Sequence, residues 1–288
     1  MPMDVVERIA EFRATLDRVR GEGGRVGLVP TMGYLHEGHL SHMRRSAVDN
    51  DITAVTIFVN PLQFGANEDL SAYPRDLPRD LVLCDEAGVA LVLAPPVDEM
   101  YPEPILTSVS VAEVSSRMEG ASRPTHFTGV ATVVAKLFNI TGPCRAYFGE
   151  KDYQQLAVVR KMARDLSFPV EVIGGATVRE ADGLAMSSRN VYLTPAERAA
   201  APLLHRALEA GRDIIVAGET QAAAAAALMA ELIAAEPLAD LDYAEVVDAS
   251  TLAAVSVLTP GEEIRLLIAA RFGQPRLLDN LGVVVPGG

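Results

Sequence analysis

Val26-Gly27-Leu28-Val29-Pro30, followed a few residues later by His36-Glu37-Gly38-His39, is a strand that turns into the first turn of a helix. Two imidazoles three residues apart cooperate only if the backbone coils between them, and Gly38 leaves room there for a ligand to approach. In α/β proteins a turn of this kind holds phosphate, because free backbone N–H groups and the positive end of the helix macrodipole point outward. The His pair adds donors without a fixed charge, which suits an anion whose charge changes during a reaction. Two other readings stay open. The histidines can be surface groups beside a turn, or part of a zinc site. The zinc pattern His-Glu-x-x-His needs one more residue of spacing, and no carboxylate or thiolate stands by His42 to complete a tetrahedron.

Outward from this stretch, strand-like and helix-like runs alternate through roughly the first 175 residues. Residues 26–29, 52–59, 89–93, 145–148 and 170–173 read as strands, and residues 39–48, 76–87, 129–140 and 154–166 as helices. The strands are continuously apolar, as strands buried on both faces are, so the pattern predicts an α/β fold with a doubly wound parallel sheet. Ligands in such sheets sit beyond the carboxyl ends of the strands. His36, Asn60 and Gly149 each follow a strand, so all three are expected at one crevice. Beyond Arg189 the texture changes to Ala-rich helices, from Pro195 and over residues 221–235. Strands at residues 241–247, 263–269 and 282–285 complete a second, smaller α+β C-terminal domain. The boundary is placed near Thr177, giving domains 1–177 and 178–288.

Composition narrows the partners. Half of the 288 residues are apolar, and 25 basic against 38 acidic residues leave a formal charge of −13. A chain this acidic repels nucleic-acid backbones and anionic membranes, so neither is expected as a partner. Binding a polyanion then demands a local cluster of cations. Two cysteines, Cys84 and Cys144, make neither a disulfide framework nor a metal quartet, and they fit a reducing compartment. Met1-Pro2-Met3-Asp4 lacks the layout of a signal peptide, and no apolar run reaches bilayer length. The expectation is a soluble, cytoplasmic protein. No Gly-x-x-x-x-Gly-Lys-Ser/Thr occurs, and Gly21-Glu22-Gly23-Gly24 precedes its strand where a dinucleotide fingerprint follows one. That cluster reads as a turn.

Three further segments carry polar chemistry. Phe148-Gly149-Glu150-Lys151-Asp152 places a cation and a carboxylate at a second helix N-terminus. Lys151 can bind phosphate, and Asp152 can accept from ribose hydroxyls or simply cap the helix. Met186-Ser187-Ser188-Arg189-Asn190 is either a phosphate clamp or a polar linker. Asn60-Pro61-Leu62-Gln63-Phe64 ends a buried strand with two amides, which suit a hydroxylated, carboxylated small molecule.

Taken in order, Pro30-Thr-Met-Gly-Tyr-Leu-His-Glu-Gly-His39, Phe58-Val-Asn-Pro-Leu-Gln-Phe64, Arg123-Pro-Thr-His-Phe127, Phe148-Gly-Glu-Lys-Asp-Tyr-Gln-Gln155, Val178-Arg-Glu-Ala-Asp-Gly-Leu-Ala-Met-Ser-Ser-Arg-Asn190 and Leu277-Leu-Asp-Asn280 resemble the pantothenate synthetase family. The resemblance spans most of the chain. It implies a Rossmann-like fold of the His-x-Gly-His nucleotidyltransferase superfamily, and ATP- and Mg²⁺-dependent condensation of pantoate with β-alanine. The family releases AMP and pyrophosphate through a pantoyl adenylate, and a homodimer is implied as well.

The resemblance also implies site residues. Met32, Gly33, Tyr34, Leu35, His36, Glu37, Gly38 and His39 would lie along ATP, with His36 and His39 on its phosphates and His39 as proton donor. Gly149, Glu150, Lys151 and Asp152 would hold ribose and phosphate. Val178 would touch adenine, and Met186, Ser187, Ser188 and Arg189 would close over the triphosphate. His36, His39, Lys151 and Arg189 are thus the catalytic set. Gln63 and Gln155 would bind pantoate, Gln63 also lying near β-alanine. Val130, Val133 and Val134 would receive the gem-dimethyl group; on periodicity alone they are core. The metal ligand is unassigned, with Asp80 as candidate against a solvated helix face. Tyr34 replaces a usually small residue and His42 a usually apolar one, which bears on local packing. The alternative activity is nucleotidyl transfer to a phosphorylated small molecule. A non-catalytic nucleotide-binding protein would not need four such groups aimed at one triphosphate.

Overall fold

The computed structural model describes residues 3–65, 68 and 70–287. The chain forms two compact units, Met1–Glu150 with Val158–Ala176, and Lys151–Ala157 with Thr177–Gly288.

In the first unit β1 (Asp4–Val6) leads into α1 (Ile9–Gly21), β2 (Val26–Thr31), α2 (Glu37–Asp49), β3 (Ile52–Ile57), α3 (Leu77–Glu86) and β4 (Leu91–Leu93). The short helices α4 (Val97–Met100) and α5 (Glu119–Ser122) precede α6 (His126–Thr141) and β5 (Cys144–Gly149). Then α7 (Tyr153–Asp165), whose first turn belongs to the second unit, leads to β6 (Val170–Gly175). The six strands form one sheet in the order β1-β4-β3-β2-β5-β6, and every pairing is parallel. After β2 the chain adds strands on one side, and from β5 on the other. The carboxyl ends of β2 and β5 therefore flank the switch point where α/β sheets bind ligands.

Alternation decides what covers each face. Val29, Val55 and Val92 lie in register on adjacent strands and share a buried cluster with Tyr147, Leu40 and Met43 of α2 and Cys84 of α3. Leu28, Ala54, Leu91 and Ala146 form the next row and are fully buried, with α1 and α6 packing on the sheet and on each other.

The second unit contains α8 (Pro195–Ala200), α9 (Leu203–Val216), α10 (Ala222–Ala234), β7 (Ala239–Asp248), β8 (Glu263–Phe272) and β9 (Arg276–Val284). Its strands make an antiparallel sheet in the order β7-β8-β9. Leu204, Leu208 and Ile215 of α9 and Met229 and Ile233 of α10 pack with Leu266, Ile268 and Phe272 of β8.

The outlines differ from the sequence expectation at definite places. β1 and α1 escape it, because a three-residue edge strand and a helix burying only Phe12 and Leu16 carry little periodic signal. Gly21-Glu22-Gly23-Gly24 closes α1. The N–H of Gly24 donates to Val19 O and that of Gly23 to Arg20 O, and Gly23 takes φ +86°, the left-handed helix stop that glycine tolerates. β4 starts two residues late because Gly88, at φ +80°, and Val89, whose N–H donates to Cys84 O, still belong to the end of α3. The Ala-rich stretch breaks at Pro202 into α8 and α9. β9 starts at Arg276 rather than residue 282, its alternation being masked by the buried polar pair Asp279 and Asn280.

Among the described residues no helix is long and apolar enough to cross a membrane. Both cysteines are free, and burial pushes each thiol up to about 12.

His42 is buried. A Cβ on Gly175 would lie 2.2 Å from its Cε1, so the imidazole fills a space that only glycine leaves. Burial lowers the pKa of His42, His126 and His205 below 6.5. The unfolded chain then binds protons that the folded chain refuses, so stability falls as pH drops from 6.5 toward the folded values. Melting temperatures are expected to be lower at about pH 5.5 than at about pH 7.5, with part of that slope lost in His42→Gln; a flat profile contradicts this. Separately, a Cβ on Gly129 would sit 2.1 Å from the Leu62 carbonyl oxygen. Gly129→Ala should destabilise by about 1–3 kcal/mol of overpacking, which outweighs the ~1 kcal/mol helix-propensity gain. An unchanged urea midpoint would show that α6 shifts freely.

Candidate active site

The turn after β2 is built by one buried carboxylate. Asp80, in the first turn of α3, accepts the N–H of Tyr34 at 2.7 Å on one oxygen and that of Leu35 at 2.8 Å on the other. Gly33 and Tyr34 lie at φ +84° and +49°. The second is a left-handed non-glycine residue, strain of order 1–3 kcal/mol that persists only where the surroundings over-determine it. The Tyr34 ring lies under the Arg79 guanidinium at 5.3 Å, which accounts for a large side chain at this position. Burial pushes the Asp80 carboxyl up, against the pull of the two amides. Among the described residues no group of three or more His, Cys, Asp or Glu is placed to hold a metal.

This turn delivers His36 as the N-cap of α2. Its Nδ1 accepts from Gly38 N–H at 3.2 Å, and His39 Nδ1 accepts from His36 N–H at 3.3 Å, a reciprocal capping box. The rings lie 4.1 Å apart. With Nδ1 accepting in each bond, Nε2 is the ring nitrogen that carries the proton. Most of the backbone donors expected to point outward are engaged within the turn. Gly33 N–H donates to Thr31 Oγ1 and His39 N–H to His36 O, beside the amides already described. Nor does Gly38 make room for a ligand: a Cβ there would meet His36 Cε1 at 2.9 Å, so the glycine accommodates the His36 ring. Glu37 is exposed and pairs with Arg44.

The second feature of this unit is an oriented carboxamide. Gln63 closes a 3₁₀ turn, Pro61–Gln63, capped by Asn60. Asn60 Nδ2 donates to Gln63 Oε1 at 3.1 Å and to Gly129 O at 3.2 Å, while its Oδ1 accepts from Tyr101 OH at 2.8 Å. Tyr101, pushed by burial to about 12, stays protonated and so remains a donor. The Gln63 carbonyl accepts from Arg123 Nη2 and lies 3.0 Å from His126 Nδ1. Gln63 Nε2 donates to Met32 Sδ at 3.0 Å. Asn60, read from sequence as a ligand-facing amide, is therefore a support that sets Gln63. Val130, Val133 and Val134 are all buried. Gly149 and Glu150 are half-buried at the end of β5, so His36, Asn60 and Gly149 follow adjacent strands as expected.

In the second unit Lys151 and Asp152 belong to a 3₁₀ turn, Glu150–Asp152, with Lys151 Nζ 3.2 Å from Asp152 Oδ1. Gln155 is half-buried in the first turn of α7. Residues 178–186 fold into a tight hairpin. Met186 N–H donates to Val178 O, Glu180 N–H to Leu184 O, and Gly183 turns the chain at φ +92°. The segment that follows is a 3₁₀ turn, Ser188–Tyr192, whose cap Ser187 accepts from Arg189 N–H. Met186, Ser187, Ser188 and Arg189 are all half-buried.

The partners of several supports are not legible in one sequence. Tyr101 bonds Asn60 and His126 the Gln63 backbone carbonyl from distant segments, and Arg179 is held by Asp279 at 2.6 and 3.0 Å. Buried polar pairs of this kind become visible only when tertiary contacts name the partner. Chemically, the first unit offers two imidazole donors and a fixed amide, and the second an ammonium, a guanidinium and hydroxyls.

Residues 4–282 match the family model for pantoate-beta-alanine ligase. Pantothenate synthetase of Agrobacterium fabrum is 54% identical over 278 residues, covering 96% of this chain and 95% of that protein. That of Heliobacterium modesticaldum is 52% identical over 283 residues, covering 98% and 100%. The crystal structure of pantothenate synthetase from Thermus thermophilus superposes with a TM-score of 0.91 at 52% identity, covering 97% and 99%. Pantoate-beta-alanine ligase from Francisella tularensis, solved with beta-gamma ATP and beta-alanine, gives 0.80 at 30%, covering 97% of each chain. Over nearly its whole length, the chain belongs to the pantoate–β-alanine ligase family.

Proposed function

We propose that this chain condenses pantoate with β-alanine at the expense of ATP, through a pantoyl adenylate, releasing AMP and pyrophosphate. The observation that carries the reading is the mutual capping of His36 and His39, which orients two neutral imidazole donors at the carboxyl end of β2. Attack of a carboxylate on the α-phosphorus brings two anions together, so catalysis here is charge neutralisation on the departing pyrophosphate. His36, His39, Lys151 and Arg189 supply it, His39 as proton donor. Residues 32–39 and 149–152 lie along the nucleotide, Val178 against adenine, and residues 186–189 over the triphosphate. Gln63 and Gln155 hold pantoate, with Gln63 fixed in advance by Asn60. Aminolysis of the anhydride then requires orientation and exclusion of water.

Magnesium enters with ATP. Asp80 has both oxygens on backbone amides and Asp152 pairs with Lys151, so phosphate oxygens and water are its main ligands, and the ion supplies charge neutralisation when bound. The functional division is residues 1–177 for nucleotide and pantoate, and residues 178–288 as a lid. The compartment is the cytoplasm, where two unpaired thiols stay reduced. The assembly is a homodimer, the state that the family resemblance implies. A monomer in sedimentation equilibrium removes that last proposal.

The decisive test is mass detection of pantothenate when the protein meets ATP, magnesium, pantoate and β-alanine. Pyrophosphate release with neither β-alanine-dependent AMP nor an amide product would move the chain to nucleotidyl transfer. Lys151→Ala and His39→Ala should each lower turnover by about 10²–10³, or roughly 2.7–4 kcal/mol, with circular dichroism unchanged. Either variant turning over like the parent drops that residue from the mechanism. Gln63→Ala should weaken pantoate more than ATP, and calorimetry giving the reverse order would overturn the pocket.

A further inference from the structure

β9 carries two consecutive buried polar residues, Asp279 and Asn280, at 3% and 2% exposure, beside apolar Leu277 and Val283. Buried groups of this kind destabilise a fold unless they are paired, so their partners show what they are for. Neighbouring strand residues point to opposite faces, and each of these two holds a different chain segment. On one face the Asp279 carboxylate accepts two bonds from Arg179, at 2.6 and 3.0 Å. Arg179 Nη1 also donates to Gly183 O at 3.0 Å, which braces the turn of the hairpin that runs into residues 186–189. On the other face Asn280 Nδ2 donates to the backbone carbonyl of Lys151 at 2.7 Å. Asn280 Oδ1 accepts from Arg265 Nε at 2.7 Å, and the Arg265 guanidinium lies 3.9 Å over the Tyr153 ring. The Tyr153 hydroxyl in turn donates to Ala249 O at 2.9 Å.

Both polar atoms of the Asn280 amide are thus engaged, one with the segment that presents Lys151 and the other with the arginine that clamps the next turn. An apolar residue would pack in this strand equally well but leave the Lys151 carbonyl without this donor. We propose that Asn280 and Asp279 are positioning residues for adenylate formation. Asn280 sets the backbone from which Lys151 reaches the polyphosphate, and Asp279, through Arg179, sets the hairpin that carries Arg189. The proposal rests on Lys151 and Arg189 binding ATP.

The test uses the full-length protein and two readouts. In pantoate-dependent exchange of pyrophosphate into ATP, Asn280→Ala and Asn280→Asp should each raise KM for ATP by about 10- to 100-fold, the scale of an ångström-level misplacement. KM for pantoate should stay within about twofold. The Asp variant keeps the acceptor for Arg265 and turns the donor to Lys151 into a carboxylate oxygen that repels the Lys151 carbonyl, so it answers the question even if the Ala variant fails to fold. Asp279→Asn should show the same split. Calorimetric ATP affinity closes the cycle: Asn280→Asp should weaken ATP in the parent and add nothing in a Lys151→Ala background. Parent-like KM for ATP in both Asn280 variants, an equal rise in pantoate KM, or additive losses in the double variant would each overturn the positioning role. Unaltered ATP affinity in Lys151→Ala alone would instead sink the reading of Lys151 on which the proposal rests.

Discussion

Two hydrogen bonds to one carboxylate organise the turn at the carboxyl end of β2. Asp80 takes the amides of Tyr34 and Leu35, and without that grip nothing holds two successive residues at positive φ. The bend they make brings His36 to the N-cap of α2 with its side chain folded back over Gly38. A backbone shaped to bind an anion has thus been filled by the protein's own anion, and the turn presents two imidazoles beside it. An imidazole, unlike a peptide N–H, changes its charge when it takes up or releases a proton.

The same device recurs wherever a side chain must be aimed. Asn60 is buried so that it can hold Gln63, with Tyr101 and Gly129 completing its bonds. Asn280 is buried against the Lys151 carbonyl, and Asp279 against Arg179. Each is a polar group whose burial is unfavourable by itself and tolerable only with its full set of partners. Such groups therefore tie the geometry of distant segments together more strictly than apolar packing does.

The overall charge of −13 makes such placement necessary. A chain this acidic has no general attraction for a polyphosphate, so affinity must come from a few cations placed at short range. Placing them is the work of the supports, which contact neither nucleotide nor acid in the proposed reaction.

From sequence alone the layer order is legible. Continuous apolar strands such as residues 52–57 and amphipathic helices between them follow from the burial of both faces of a parallel sheet, and that information is local. The ordered motifs likewise single out His36, His39, Gln63 and Lys151, the residues proposed to face the ligands, because each stands at or just after a strand end. Local pattern fails where the partner is remote. β1 is three residues long and exists only because β4 offers an edge. Asp279 and Asn280 interrupt the apolar alternation, and so hide the start of β9, until Arg179 and Lys151 are brought beside them from 100 and 129 positions away in the chain. Asp80 looks like a solvated helix residue or a metal ligand until the amides of residues 34 and 35 meet it. The strand and helix periods are properties of the chain; which buried polar atom satisfies which is a property of the folded molecule, since a hydrogen bond exists only once both ends share the same few ångströms.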